Sequence, residues 1–349
     1  MAVQASPAAG TPAPSPWSKV AGAVALLTLI ISVLLTAFAW PSVRSSVHDI
    51  PIAVVGPAAV ADRISASLEQ RLPDGFAITE VADTASAEQL IRDREVYGAI
   101  DASAGTPQVM IASAASASVA QTLQGIATGL AQAQAPPGSP TVAVRDVVAL
   151  PADDPRGAGL AAGALPLVMG GMLAAALLTT LVRGTVRRVT GALAFAVTGG
   201  LAMAAILQFW LGSLDGAYLA NAGAIALTIA ATSLAILGLE SLLGTAGLGL
   251  GAATMLLIGN PLAGTSTAPE MLPGWSGALG QLLPPGAGGQ LLRSTAFFDG
   301  HHTAHSIIVL AAWATLGVAL CLISGVRAGR ATTATVDGPV AQPVATTAA

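Results

Sequence analysis

Three histidines, His301, His302 and His305, are the residues of this 349-residue chain whose type and spacing come closest to a chemical site. His301 and His305 are four residues apart, so on a helix their imidazoles would share a face and could hold a metal ion. Asp299 is close, but no acidic or thiol ligand stands at a matching spacing. Histidines that flank an apolar segment at a membrane surface are commoner, and we therefore predict no metal site.

The composition excludes several classes of function. The only lysine is Lys19, and no glycine-rich loop precedes it, so a Walker-type ATP site is excluded. The only cysteine, Cys321, excludes intrachain disulfides and cysteine zinc sites. The chain has no GxSxG motif, a net charge of −4 and no long basic cluster. We predict that it is not an enzyme and that it binds neither a cofactor nor a nucleic acid.

Three arginines lie together in a polar connection of six residues, 183–188. They are Arg183, Arg187 and Arg188. Arg183 and Arg187 are four residues apart and would share a face if the preceding helix continues past Val182. The ordinary role of such arginines is to hold a loop on the cytosolic side of a membrane.

Long apolar segments separate these arginines and histidines. Hydrophobic residues make up 54% of the chain and charged residues 9%, against roughly 25% charged residues in an ordinary soluble domain. A helix that crosses a bilayer needs about 20 largely apolar residues, and six stretches meet this requirement. They are 20–40, 160–182, 189–211, 217–239, 241–258 and 306–326. We predict an α-helical polytopic membrane protein with six transmembrane helices and an inserted extracytoplasmic α/β domain.

Only Glu240 separates the fourth stretch from the fifth, and a single helix through both would be about twice as long as the bilayer core is thick. We therefore expect the chain to reverse between Gly238 and Gly244. Glu240 is expected to be solvated at that reversal, with a contact to a partner as the alternative. No Asp, Lys, Arg or His lies inside the six stretches, which argues against transport driven by a proton relay.

The first stretch, 20–40, has an alternative interpretation as a cleaved signal peptide, because Ala37-Phe38-Ala39 resembles a cleavage site. Its apolar run is longer than the roughly 7–15 residues of a signal peptide. We therefore predict a retained transmembrane helix.

The basic residues predict the orientation. With a cytosolic N-terminus, the cytosolic segments contain six basic residues, whereas the short external loops contain only Arg293. The six are Lys19, Arg183, Arg187, Arg188, Arg327 and Arg330. We expect a multi-pass protein of the plasma (inner) membrane with both termini cytoplasmic. The segments 1–19 and 327–349 are predicted to be disordered cytosolic tails, since they are rich in Ala, Pro and Thr.

Residues 41–159 are predicted to form the extracytoplasmic α/β domain. They hold 13 of the 18 acidic residues, and short apolar runs alternate with segments of helical periodicity. The predicted strands are 50–55, 76–81, 96–101, 108–112 and 142–150. The predicted helices are 58–72, 86–94 and 116–134.

Residues 160–326 are predicted to form a five-helix transmembrane domain, interrupted by the external segment 259–305. This segment contains five prolines and two apolar pieces, 275–283 and 289–298, which are too short to cross a bilayer. They favour a broken or re-entrant helical pair, with Pro284 and Pro285 at the turn. The alternative is a surface loop that lies on the lipid headgroups, where Arg293 would be a snorkelling anchor or would meet an anionic substrate headgroup.

The order of these segments resembles the six-span permeases of ABC exporters of the ABC-2-like type, in particular the phage-infection-protein group. The residues that carry the resemblance are 50–56 (IPIAVVG), 96–101 (VYGAID), 259–264 (GNPLAG), 272–275 (LPGW), 280–286 (GQLLPPG) and 292–300 (LRSTAFFDG). The chain departs from the larger members in having a short external domain without a long coiled coil.

The resemblance implies a separate ABC ATPase subunit, a dimer of the permease with itself or a related permease, and export of a hydrophobic or amphipathic substrate. It also implies that the connection with the three arginines seats on the ATPase, where a guanidinium fork could hold a carboxylate. The external gate of such a permease is assigned to four residues, Trp275, Pro284, Pro285 and Arg293. An alternative expectation is a non-transporting membrane protein whose external α/β domain binds a cell-envelope partner.

Overall fold

A computed structural model describes residues 15–103, 107–134 and 142–336. This part of the chain is mostly helical, with one small mixed sheet. Most of the two predicted disordered tails lies outside the described residues. Residues 17–19 and 327–336 of these tails are helical, since the first helix begins at Trp17 and the last helix continues to Val336.

The first helix, α1 (Trp17–Arg44), has the surface expected of a helix surrounded by lipid. None of its most apolar 18-residue window is buried within the protein. It continues past the predicted end at residue 40, and Pro41 in its last turns is the one buried residue of this fully described helix. A single uninterrupted helix agrees with the prediction of a transmembrane segment at this position.

An α/β unit follows α1. Its five described strands are β1 (Ile50–Val55), β2 (Phe76–Val81), β3 (Gly98–Asp101), β4 (Gln108–Ile111) and β5 (Ala143–Asp146). They pair in the order β2-β1-β3-β4-β5, and β3 and β4 are antiparallel whereas the other neighbours are parallel. The first two strands have the predicted bounds. The last is shorter than predicted, because the chain turns after Asp146, whose carboxylate accepts hydrogen bonds from Ser113.

Three helices cover this sheet on its two faces. They are α2 (Ala58–Arg71), α3 (Thr84–Arg92) and α4 (Ala117–Gln134). The third predicted strand and the helix before it are both displaced from their predicted bounds. Helix α3 begins two residues before its predicted start because the Asp83 carboxylate accepts a hydrogen bond from the Ser86 amide at 2.7 Å, which also holds the pKa of Asp83 below its usual value. It ends at Arg92, since Arg94 has a left-handed φ of 62°.

The remaining long helices form a bundle around a central helix. They are α5 (Ala158–Leu181), α6 (Thr185–Ala205, continued by a π-helical turn Ile206–Trp210), α7 (Tyr218–Leu243), α8 (Thr245–Ala253, continued by a π-helical turn Thr254–Gly259) and α11 (Ala304–Val336). The apolar window of α7 is 78% buried, against 22–33% for α5, α6 and α11. The other helices therefore surround α7, and most of their apolar surface faces away from the bundle.

Within the described residues, five helices are long and apolar enough to cross a membrane, namely α1, α5, α6 with its π-helical turn, α7 and α11. The predicted span 241–258 is not among them. The chain reverses at Gly244, where φ is 64°, and the following apolar helix covers only Thr245–Gly259. These 15 residues are fewer than the roughly 20 that a helical span needs. The structure confirms the reversal but not six spans.

The broken helical pair predicted in the external segment is present. It consists of α9 (Ser276–Gln281) and α10 (Pro284–Phe297), with Pro284 and Pro285 at the first two positions of α10. Ten of the 14 residues of α10 are buried, and a Cβ on Gly288 would collide with Thr228 of α7. The alternative of a loop on the protein surface is therefore wrong, because α10 is packed into the bundle.

Candidate functional site

The α/β unit and the pair α9–α10 meet around a cavity of about 440 Å³ with both polar and apolar walls, which we call the junction cavity. The polar residues that line it come from four separate parts of the chain. They are Arg94, Glu95 and Tyr97, then Glu270, then Gln281 and Gln290, and finally His302, His305 and Ser306. The cavity brings together six ionisable side chains, and we take it as the candidate site.

Arg94 joins the two sides of the junction. Its guanidinium donates hydrogen bonds to the Gln290 carbonyl at 3.1 Å, to the Gln290 side-chain oxygen at 2.6 Å and to the Ser294 hydroxyl at 2.5 Å. It also lies 5.1 Å from the centre of the Phe298 ring, within the range of a cation–π contact. The left-handed turn at Arg94 is therefore what brings the end of α3 onto α10.

Arg293 is buried behind Arg94 on the same helix that Arg94 contacts. Its side chain is only 6% exposed, and its Nη2 donates to the Thr265 carbonyl at 2.8 Å. Burial, together with the positive charge of Arg94, lowers the pKa of Arg293 to about 10, so the group still carries its charge at neutral pH. The expectation of a snorkelling anchor is wrong, because this guanidinium does not reach the surface.

One carboxylate and one phenol complete the buried part of the site. The Tyr97 hydroxyl donates to a Glu270 carboxylate oxygen at 2.8 Å. Burial and the negative charge of Glu270 raise the pKa of Tyr97 far above its usual value, so the phenol stays protonated. Burial lowers the pKa of Arg94, and Tyr97 and Glu270 partly oppose that shift. Arg94, Arg293 and Glu270 therefore form a cluster of two guanidinium ions and one carboxylate.

The histidines lie at the exposed rim of this site and not on one helical face. His301 is in the turn before α11, and its Nδ1 lies 2.9 Å from an Asp93 carboxylate oxygen, whereas His305 is in the first turn of α11. Within the described residues there is no group of three side chains that could hold a metal ion. His301 thus contributes a second contact between the α/β unit and the bundle.

The four residues assigned to an external gate are only partly brought together. Pro284, Pro285 and Arg293 all lie on α10 and are buried. Trp275 stands before α9 with 73% of its surface exposed and does not line the junction cavity. The buried members agree with a structural role in the hairpin, and Trp275 is left as a surface residue.

Arg183 and Arg187, in the connection between α5 and α6, do not share a face of a continued α5. Helix α5 ends at Leu181, the next residue is extended, and Gly184 has a φ of 93°, so the helix does not continue past Val182. The positive φ of Gly184 is a conformation that glycine adopts without strain. Arg183 therefore lies in a tight turn and Arg187 in the first turn of α6, and both are exposed.

Arg188 is used within the chain. Its guanidinium donates to the Val182 and Thr179 carbonyls, each at 2.8 Å, and to a Glu240 carboxylate oxygen at 3.2 Å. The Glu240 side chain is only 14% exposed. The expectation that Glu240 is solvated is replaced by this ion pair between α6 and α7, and the alternative that it contacts a partner stays a prediction.

No protein-family model, curated protein or solved structure matches the chain. The resemblance to the ABC-2-like permeases therefore stays a prediction. The function is therefore inferred from the arrangement of the helices and from the residues of the junction and of the α5–α6 turn.

Sequence reasoning did not find Arg94, Tyr97 or Glu270. Arg94 stands in a run of alternating charges, Arg92-Asp93-Arg94-Glu95, which is typical of a solvated helix end. Tyr97 was noticed only within the motif 96–101. The contact between Arg94 and Gln290 joins residues 196 positions apart, and no local pattern predicts it.

Proposed function

We propose that this chain is the permease subunit of an ABC-type exporter in the plasma (inner) membrane, with both termini cytoplasmic. It would move a hydrophobic or amphipathic substrate with energy from a separate ATPase subunit, as a dimer with itself or with a related permease. The observation that carries the proposal is the interrupted helical pair α9–α10, of which α10 packs against α5, α7 and α11. Irregular backbone at such a position is tolerated where protein or a water-filled pathway satisfies it.

The α/β unit supports a gating role for this pair. Arg94 binds both the main chain and the side chain of Gln290, so a movement of the α/β unit relative to the bundle would act directly on α10. A pathway that opens between α10 and the surrounding helices would then be controlled from the external side. In this proposal the hairpin is the external gate, and Arg94 is the residue that couples it to the α/β unit.

The opposite end of α5 supports a contact with an ATPase. Helix α5 has 24 residues and is about 36 Å long, so the α5–α6 turn and the α/β unit lie at opposite ends of the bundle. Arg183 and Arg187 are exposed at that turn, whereas Arg188 is paired with Glu240. We therefore assign the proposed ATPase contact to Arg183 and Arg187 and a structural role to Arg188.

Purification of the tagged full-length chain in a mild detergent from its own host tests this proposal. We expect an ABC ATPase to co-purify with it. The variant Arg183→Lys/Arg187→Lys keeps the inside charge but loses the bidentate guanidinium geometry, and it should reduce the recovered ATPase several-fold. Arg327→Lys, an exposed arginine on α11, is the matched control and should have no effect. Repeated recovery of the wild-type chain without any ATPase would contradict the proposal.

A second candidate function is a non-transporting membrane protein whose α/β unit binds a cell-envelope partner. The observation that favours it is a separate cavity of about 290 Å³ on that unit, between α2 and α4, which Arg63 and Arg71 help to line. Capture of a cell-envelope protein that is lost in Arg63→Ala, from preparations that contain no ATPase, would favour this function over export.

A further inference from the structure

We propose that the junction cavity binds the phosphate or carboxylate group of an amphipathic ligand, with Arg94 contacting the anion and Arg293 adding positive charge behind it. The inference rests on the proposed function only for what happens to the ligand, which would be a substrate on its way out. Binding itself requires no ATPase and can be measured separately.

The first argument is that the two guanidinium groups keep donors that the chain does not use. Arginine presents five N–H donors. Among the described residues, Arg293 makes one hydrogen bond and Arg94 makes three, and the buried Nε of each has no partner. A buried charge with unpaired donors costs free energy, and an anion bound in the cavity against Arg94 would recover part of that cost.

The second argument is the charge balance of the buried groups. Glu270 is the nearest carboxylate, but it accepts the Tyr97 hydroxyl, and no carboxylate of the described residues lies within 4 Å of either guanidinium. Two guanidinium ions and one carboxylate leave a charge of +1. The remaining ionisable groups around the cavity, Glu95, His302 and His305, are exposed to solvent, where their fields are screened.

The third argument is the mixture of surfaces in the cavity. Beside the polar groups, Pro51, Val96, Ala115 and Pro269 line it with apolar surface. Its volume of about 440 Å³ lies within the range of roughly 300–1,000 Å³ that is typical of small-molecule sites. A guanidinium binds phosphate and carboxylate in the same forked geometry, and the apolar wall would receive an attached hydrocarbon chain. An amphipathic anion uses both surfaces, whereas a free anion uses only one.

The experiment uses the full-length chain in phosphatidylcholine nanodiscs and isothermal titration calorimetry with three soluble probes. Hexyl phosphate has both parts of the proposed ligand, inorganic phosphate has only the anion, and hexanol has only the chain. We expect saturable binding of one hexyl phosphate per chain, at least about tenfold weaker binding of inorganic phosphate, and none of hexanol. Equal affinities for hexyl phosphate and inorganic phosphate would overturn the amphipathic ligand in favour of a free anion.

Variants locate the binding. Arg94→Gln should weaken hexyl phosphate binding by about tenfold or more, because it removes the guanidinium that contacts the anion, and Arg293→Gln should also weaken it, because it removes the positive charge behind Arg94. Arg293→Lys keeps the charge and should weaken it less, which separates lost charge from lost folding. The matched control is Arg92→Gln, an exposed arginine two residues from Arg94, and it should bind as the wild type does. Wild-type binding in both Gln variants would overturn the site.

The outcomes of this experiment and of the ATPase experiment are independent. If hexyl phosphate binds but no ATPase co-purifies, the exporter proposal fails and the anion site stands. If the ATPase co-purifies but no probe binds, the anion site fails and the exporter proposal stands. Water alone would then account for the unpaired donors of Arg94 and Arg293.

Discussion

The arginines at the two ends of the bundle, which are partly or fully buried, have opposite surroundings. At the α5–α6 turn, Arg188 finds two main-chain carbonyls and the Glu240 carboxylate within hydrogen-bonding distance. At the junction, Arg293 finds one carbonyl, and neither it nor Arg94 has a carboxylate within 4 Å among the described residues. A charge that its own chain satisfies serves the fold, whereas a charge that is left unsatisfied has capacity for another molecule. This difference separates a structural arginine from candidate binding residues.

The largest effect is expected when the Glu240 carboxylate, the partner of Arg188, is removed. Glu240→Ala should lower the thermal-unfolding midpoint in detergent by the equivalent of about 2–3 kcal/mol, because it leaves a partly buried guanidinium without its carboxylate. The matched control is Glu88→Ala, which removes a carboxylate from arginines that are about half exposed and should cost less than about 1 kcal/mol. Equal effects of the two variants would show that the Arg188 contact is not structural.

Truncation of Arg94 should loosen the junction without unfolding either side. Arg94→Ala removes three hydrogen bonds to α10, so amide hydrogen exchange in residues 284–297 should accelerate by about tenfold or more. Exchange in β1 should stay unchanged, because its core contacts do not involve Arg94. Arg92→Ala, at the last residue of α3 and two residues before Arg94, provides the control. Unchanged exchange in α10 would mean that the α/β unit is not coupled to the hairpin.

The Tyr97 phenol gives the junction a pH dependence. The pKa of Tyr97 is raised in the folded state, so its contribution to stability is complete below the unfolded pKa, near 10, and is lost as the pH rises above it. Above about pH 10 the wild type should lose up to about 1.4 kcal/mol per pH unit more than Tyr97→Phe does. Thermal midpoints between pH 8 and 11 measure the difference. Parallel curves for the two proteins would place Tyr97 in contact with solvent.

Trp275 should give the smallest effect. Its side chain is largely exposed and does not line the junction cavity, so Trp275→Ala should change stability by less than about 0.5 kcal/mol and leave hexyl phosphate binding unchanged. Calorimetry and the thermal midpoint check both statements. A marked loss of probe binding would return Trp275 to the gate.

Local sequence patterns predicted the helices and strands, whereas contacts between residues far apart in the sequence form the candidate site. The strands 50–55 and 76–81 have the expected bounds because each is an uninterrupted extended run between turn residues. The prolines at 284 and 285 predicted the start of α10, since proline suits the first turn of a helix. The charge pairing of Arg188 with Glu240 and the burial of Arg293 depend on residues 28 to 52 positions apart, which no local pattern connects.

The central claim is that the junction and the arginine turn lie on opposite sides of a membrane, with the junction outside. A membrane-impermeant thiol reagent added to intact cells tests it in a Cys321→Ser background, with single cysteines at two exposed positions, Gln124→Cys on α4 and Val186→Cys beside the arginine turn. We predict rapid labelling of the cysteine at position 124 in intact cells and labelling at position 186 only after the membrane is opened. The reverse pattern, or labelling of both in intact cells, would contradict the account.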